Sequence, residues 1–288
     1  MNLFCFGFGQ VARNFIKKLD NKNINYVLNT TNREETKYID INNKKFLSYK
    51  LNEDGYDENI KEILNKADHA LISIPPIQND DLVLKNLIKF MNKDRVKWIT
   101  YLSATSVYGN HNGEWVDENS KCIPSSSNGI ARLKVENCWL DLFKKFNYPI
   151  QIFRLSGIYS DKNNVLKRLK TGEAKLIFKE NHFFSRIHVD DISNILFKSL
   201  KTFKSGEIFN ISDDKPAPLS EVTLYGAKLL NIKKLKELKV EEIDSEMLKN
   251  FFKDSKKVQN KKMKKFFNYN LKYPSFTEGL DYIRNNFV

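Results

Sequence analysis

The apolar run Leu3-Phe4-Cys5-Phe6 passes without a break into Gly7-Phe8-Gly9-Gln10-Val11-Ala12, and from there into apolar residues at helical spacing. A buried strand, a glycine turn and an amphipathic helix in that order leave few folds open. Gly7 permits a tight turn, and Gly9 lets a ligand approach the backbone with no Cβ in the way. Ala12 allows close packing of helix on strand. The helix that follows begins with free N–H groups and a partial positive charge, a natural seat for an anion. A glycine turn holding no ligand is the alternative reading.

Further apolar runs at 26–28, 69–74 and 98–102 alternate with helical spacing at 11–19, 60–64 and 82–91, and 45–51 supplies one more strand. Such alternation predicts a parallel sheet with helices on both faces. A loop at 104–125, rich in Gly, Asn, Ser and Pro, precedes a helical stretch at 126–146 and an apolar strand at 150–155. Beyond it come a helix at 165–169, a strand at 183–189, a helix at 190–200, a strand at 208–211 and a helix at 221–230. The chain is therefore expected to be α/β, a Rossmann-type doubly wound parallel sheet with a smaller C-terminal α/β substrate lobe. Residues 1–155 would form the dinucleotide-binding domain, and 156–288 the substrate lobe, interleaved with the end of the main sheet.

In that frame Gly7, Phe8, Gly9, Gln10 and Val11 would meet a pyrophosphate. About twenty residues on, where NAD-specific domains place Asp or Glu against the ribose 2′-hydroxyl, the text reads Thr30-Thr31-Asn32-Arg33. No carboxylate repels a 2′-phosphate there, and Arg33 offers paired hydrogen bonds, with Thr31 or Asn32 assisting. NADP is expected over NAD, unless Arg33 only pairs with Glu34 or Glu35 at the surface. Ser73-Ile74-Pro75-Pro76 ends a strand at the carboxyl edge of the sheet, where ligands of this fold bind. Ser73, Ile74, Pro75 and Ser103 complete the expected cofactor set.

Composition narrows the setting. Three cysteines, Cys5, Cys122 and Cys138, form no CxxC pair or His/Cys cluster, so neither a disulfide framework nor a metal site is expected. No stretch reaches the ~20 apolar residues of a membrane span, and no leader pattern opens the chain, which points to the cytoplasm. The net charge of +13 raises nucleic acid as a partner. Its lysines are spread along the chain, however, and the densest stretch, 256–265, reads as a solvated helix face. The expected partner is a small-molecule substrate, with a homodimer compatible.

The segment Ser103-Ala104-Thr105-Ser106-Val107-Tyr108-Gly109 resembles the extended short-chain dehydrogenase/reductases, the NAD-dependent epimerase/dehydratase-like family. Trp115-Val116-Asp117-Glu118, Arg154-Leu155-Ser156-Gly157-Ile158-Tyr159, Arg186-Ile187-His188-Val189-Asp190-Asp191, Phe209-Asn210-Ile211 and Tyr273-Pro274-Ser275-Phe276 agree with it in order. The resemblance implies a Rossmann domain, a substrate lobe, and a Ser/Thr, Tyr and Lys that move a proton while nicotinamide moves hydride. Placing Gly129 and Glu136 on the family's YGxSKxxxE pattern puts Asn128 at the tyrosine and Arg132 at the lysine, with Ala104 at the Ser/Thr position and Thr105 beside it.

An amide cannot supply a phenol's proton, so the chain resembles an atypical branch of that family. Thr105, Asn128 and Arg132 are the catalytic candidates, facing nicotinamide and orienting the substrate. Tyr108 and Arg186 are the substrate candidates, and Tyr108 and His188 are the remaining groups with acid–base chemistry. The expected activity is an oxidoreductase or epimerase-like reaction on a small polar or phosphorylated metabolite. A non-catalytic NADP-binding sensor or scaffold is the rival reading.

Overall fold

The computed structural model describes residues 1–41 and 44–288. Its contacts divide the chain into two compact units, one of residues 1–104, 130–154 and 193–209, the other of 105–129, 155–192 and 210–288.

The first unit is built on a mostly parallel sheet. Across it the strands run Ile208–Ile211, Ile150–Leu155, Trp98–Ala104, His69–Ile72, Asn2–Phe6, Val27–Asn32, Lys44–Asn52 and Lys37–Ile41. The opening strand is central, pairing in parallel with Val27–Asn32 on one side and His69–Ile72 on the other. Its side chains alternate between two buried layers, which is why it reads as an unbroken apolar run. Phe4 and Phe6 join Ile72, Tyr101, Val135 and Trp139 on one face. On the other, Phe15 of the helix Gln10–Asn21 stacks on Trp98 at 6.2 Å, and the Trp98 indole donates to Ser199 at 3.1 Å.

The far edge differs from the all-parallel expectation. Lys37–Ile41 runs antiparallel to Lys44–Asn52, which itself lies parallel to Val27–Asn32. The text between residues 32 and 44 is too short for a helical crossover, which takes a dozen or more residues. The chain instead skips one strand position, runs back along the outside, and returns to fill the gap.

Two other elements are shorter than the periodicity suggested. The helix expected at 82–91 is Leu82–Asn86 followed by a 3-10 turn, Ile88–Phe90. Buried Asp81 caps it, accepting from the Val83 and Leu84 N–H groups at 2.8 and 3.0 Å. The strand expected at 183–189 is only Arg186–His188, because Phe184 pairs instead with Ala217 and Val189 already opens the helix Val189–Ser199.

In the second unit, Gly157–Tyr159 pairs with Arg186–His188 and Lys257–Val258 with Trp115–Val116, both in parallel. Helices Val165–Lys170, Leu219–Leu229 and Phe276–Phe287 close over a core of Tyr159, Leu166, Val222, Phe276, Leu280 and Ile283. The basic stretch 256–265 is not one helix face: Lys257–Val258 is a strand, and the helix Lys261–Phe267 buries Met263 and Phe267. Among the described residues no helix is long and apolar enough to cross a membrane, and no group of His, Cys, Asp and Glu could hold a metal ion.

Candidate functional site

The first unit contains a cavity of about 640 Å³ beside the opening glycine turn. Gly7 stands at φ +80°, and a Cβ there would meet the Ile74 side chain at 2.7 Å and the Ser73 hydroxyl at 3.0 Å. Its N–H donates to the Thr31 hydroxyl at 2.8 Å, while the Ser73 hydroxyl donates to the Phe6 and Gly7 carbonyls, both at 3.0 Å. The turn is thus pinned by Thr31 of one flanking strand and by Ser73 just past the end of the other. At Gly9 the situation reverses, since a Cβ there would meet nothing within 4 Å. Gly9 also caps the helix Gln10–Asn21 with no side chain over its end and no acidic residue in its first turn. An exposed helix start facing open space suits a phosphate, so the residues present fit a dinucleotide's pyrophosphate.

Of the residues expected to hold a cofactor, Gly7, Phe8, Gly9, Thr31, Asn32, Arg33, Ser73, Ile74 and Pro75 line this one cavity. Gln10 begins the helix beside it, and Val11 is packed into the core. Thr30 and Ser103 are buried, and neither hydroxyl has a hydrogen-bond partner among the described residues.

The Asn32 amide holds the loop after its strand. It donates to the Glu35 carbonyl at 2.8 Å and to the Ser48 hydroxyl at 2.9 Å, and accepts from the Glu34 and Glu35 N–H groups at 2.9 and 3.2 Å. Arg33 is thereby set at an exposed corner of the loop. Lys37 pairs with both Glu34 (2.9 Å) and Glu35 (3.7 Å), and Arg33 makes no ion pair among the described residues. Sequence reasoning missed two cations on the same walls, Lys37 and Arg13, the latter stacked over the Phe8 ring at 4.8 Å. Arg13 was legible, since it lies one helical turn beyond Gly9, on the exposed face that carries Lys17 one turn further on.

Two of the family-like segments meet in a buried ion pair. Arg154 donates to Glu136 through Nε at 3.1 Å and through Nη2 at 2.7 Å, with both residues buried. Four residues earlier on the same helix, Arg132 donates through Nη1 to the Leu102 carbonyl at 3.0 Å, at the carboxyl end of the strand Trp98–Ala104.

In the second unit, Thr105 opens the 3-10 turn Thr105–Tyr108 and is half-buried, and Asn128 is exposed. Tyr108 is fully buried, its hydroxyl donating to Asn210 Oδ1 at 2.8 Å. The Asn210 N–H donates in turn to Glu118 at 2.8 Å. Asp191 accepts from the Lys272 and Tyr273 N–H groups at 2.7 and 3.1 Å. These segments act as latches between distant stretches of chain. His188 is buried among Tyr159, Tyr273 and Tyr282, and burial pulls its pKa down to about 4, so it stays neutral at pH 7.

Arg186 lines a separate cavity of about 340 Å³, wholly within the second unit. Its Nη1 donates to the Phe184 and Ala217 carbonyls at 2.9 and 3.0 Å. Burial lowers its pKa to about 10, which leaves it charged at neutral pH. Sequence reasoning missed its neighbours Arg168 and Lys175 on the cavity wall, because nothing in their local text distinguishes them from surface cations.

The family model described as the NAD dependent epimerase/dehydratase family matches residues 7–212. No curated protein matches. Among solved structures, a functionally unknown conserved protein from Silicibacter pomeroyi is 28% identical, with a TM-score of 0.83 over 99% of this chain and 98% of that one. A dTDP-glucose 4,6-dehydratase from Bacillus anthracis in complex with NAD is 17% identical, with a TM-score of 0.78 over 99% and 96% of the two chains. A UDP-glucuronic acid 4-epimerase from Bacillus cereus, also in complex with NAD, is 18% identical, with a TM-score of 0.77 over the full length of both. The last two share the fold. With a family match that begins at Gly7 of the glycine turn and ends just past the last strand of the main sheet, the chain belongs to the NAD-dependent epimerase/dehydratase family.

Proposed function

We propose that the protein binds NADP in the cavity beside the glycine turn and acts as an oxidoreductase or epimerase-like enzyme on a small polar or phosphorylated metabolite. The observation that carries the cofactor preference is the division of charge after the second strand. Lys37 takes both nearby glutamates, and Arg33 has no ion pair among the described residues on the cavity wall. A guanidinium without a carboxylate partner supports a 2′-phosphate held by charge-assisted hydrogen bonds. Arg13 and Lys37 add positive potential on the same walls.

A bound nicotinamide supplies hydride transfer. In this reading the N–H groups at the start of the first helix hold the pyrophosphate, and Thr105, Asn128 and Arg132 orient the substrate's carbonyl or hydroxyl. Asn128 has no ionisable proton, so the Ser/Thr-Tyr-Lys relay of the family is absent. Nη1 anchors the Arg132 side chain to the Leu102 carbonyl, and its charge also acts on the buried Tyr101 hydroxyl.

Titration of NADPH and NADH against wild type and Arg33→Glu tests the preference. Losing a charge-assisted pair costs ~1.5–3 kcal/mol, or roughly a tenfold to hundredfold weaker grip on NADPH. NADH affinity is expected to hold. Equal NADPH affinity in the two proteins removes the proposal.

A second reading, a non-catalytic NADP-binding sensor or scaffold, is favoured by the same bond from Arg132 to Leu102, since an anchored arginine also serves as a structural brace. Cofactor turnover across a metabolite panel separates the two. Complete silence in folded, cofactor-bound protein supports the sensor.

A further inference from the structure

Arg13 is an exposed residue of the helix Gln10–Asn21, one turn beyond Gly9, and its side chain is already tied in place. Side chains on a helix slant towards its N-terminus, and this one runs back to the glycine turn. Its Nε donates to the Phe8 carbonyl at 3.0 Å, and the guanidinium lies over the Phe8 ring, 4.8 Å from the centroid. Those two contacts use Nε and one flat face of the group. Nη1 and Nη2 make no hydrogen bond, and the side chain makes no ion pair, among the described residues. The carboxylates on the same cavity, Glu53 and Asp54, are not paired with it, and Glu53 accepts from Gln78 instead.

An arginine held this way has given up much of its rotamer freedom before any ligand arrives, so less entropy is lost on binding one. The forked end that remains suits the paired oxygens of a phosphate. Nothing at the start of the helix competes for it, since the first turn carries no acidic residue. Place along the chain decides which phosphate. Arg33 stands on the loop after the second strand, whereas Arg13 is tied to Phe8, between Gly7 and the open space beside Gly9. That is the seat of the pyrophosphate in the cofactor reading. NADPH and NADH share their pyrophosphate, so a contact made there adds affinity without choosing between them.

We propose that Arg13 is a pyrophosphate clamp, held ready by Phe8, that strengthens the binding of either dinucleotide by the same factor. The proposal rests on the cofactor reading above and deepens it: the affinity that Arg13 adds is separate from the preference assigned to Arg33.

Calorimetric titration of the full chain with NADPH, NADH and ADP-ribose tests it. Arg13→Gln keeps a good helix former at an exposed position, and is expected to weaken all three ligands by a common factor of roughly ten. Binding of 2′-AMP, which has a 2′-phosphate but no pyrophosphate, should be the same in Arg13→Gln and wild type. Phe8→Leu is expected to weaken the three ligands roughly two- to fivefold, the worth of a cation–π contact at an exposed site, and to add no further loss once residue 13 is Gln. Unchanged NADH and ADP-ribose affinity in Arg13→Gln, or a loss confined to NADPH, overturns the proposal. An equal Phe8→Leu loss in both backgrounds also overturns it. Should Arg13→Gln fail to fold, Arg13→Lys replaces it: the charge stays but the fork and the Nε bond are lost, and unchanged NADH affinity again overturns the clamp. The two readings fail separately, since wild-type protein that binds none of the three ligands removes the cofactor site itself, whereas dinucleotide binding that Arg13→Gln leaves intact removes only the clamp.

Discussion

Gly7 and Gly9 look alike in the sequence, yet the structure predicts opposite outcomes when each gains a side chain. At Gly7, alanine would have to hold φ at +80°, a left-handed conformation that costs an L-residue roughly 1–2 kcal/mol. Its Cβ would also fall 2.7 Å from Ile74 Cγ2, with the Ser73 hydroxyl at 3.0 Å. Overpacking of that kind adds ~1–3 kcal/mol. Gly7→Ala should therefore lose about 2–5 kcal/mol of stability. Gly9 sits at φ −81°, open to any residue, and its Cβ position touches nothing within 4 Å. Gly9→Val should lose only about 1 kcal/mol or less, the usual difference between a glycine and an apolar residue at a helix N-cap. It would, however, fill the space through which a pyrophosphate reaches the helix N–H groups. Urea denaturation gives the stabilities, and NADPH fluorescence gives the affinities. The expected result is a folded Gly9→Val protein that binds NADPH at least tenfold more weakly. If Gly9→Val binds NADPH within a factor of two of wild type, the glycine turn is not the cofactor seat. If it unfolds as readily as Gly7→Ala, the space beside Gly9 has been misjudged.

Other outcomes follow from the packing. Glu136→Gln strands the Arg154 guanidinium in the core of the first unit, which should cost ~3–5 kcal/mol in denaturant melts; replacing Glu136 and Arg154 together by leucine and methionine should recover most of that loss, and no recovery would refute the ion-pair argument. His182 and His188 are both held down to about 4 by burial, so their contribution is whole above the unfolded value near 6.5 and fades as pH falls towards 4, because the unfolded chain takes the proton first. His182→Phe, which keeps a ring between Phe184 and Phe252, should remove about 2 kcal/mol of the stability difference between pH 7 and pH 5; identical pH profiles for variant and wild type would count against it. Gly129→Ala would place a Cβ 2.7 Å from the Ser106 carbonyl and 2.9 Å from Pro124, and should lower the melting temperature by several degrees.

The amino-acid order alone determined the opening strand, the glycine turn, its helix and the alternation that makes the sheet. Each of these is local: the backbone freedom of Gly7, the spacing of Val11, Ala12, Phe15 and Leu19 on one face of a helix, and the apolar continuity of a strand buried on both sides are written within a few residues. Tertiary structure decided whether a polar side chain is spent or available. Lys37, not Arg33, takes Glu34 and Glu35 because the chain doubles back as an antiparallel edge. Tyr108 is occupied by Asn210, 102 residues away. Glu136 meets Arg154 across helix and strand, and the cavity at Arg186 exists only because helices far apart in the chain close over it. Hydrogen bonds and ion pairs act over a few ångströms, so their partners are set by which distant segments the fold brings within reach, and no local pattern of residues encodes that distance.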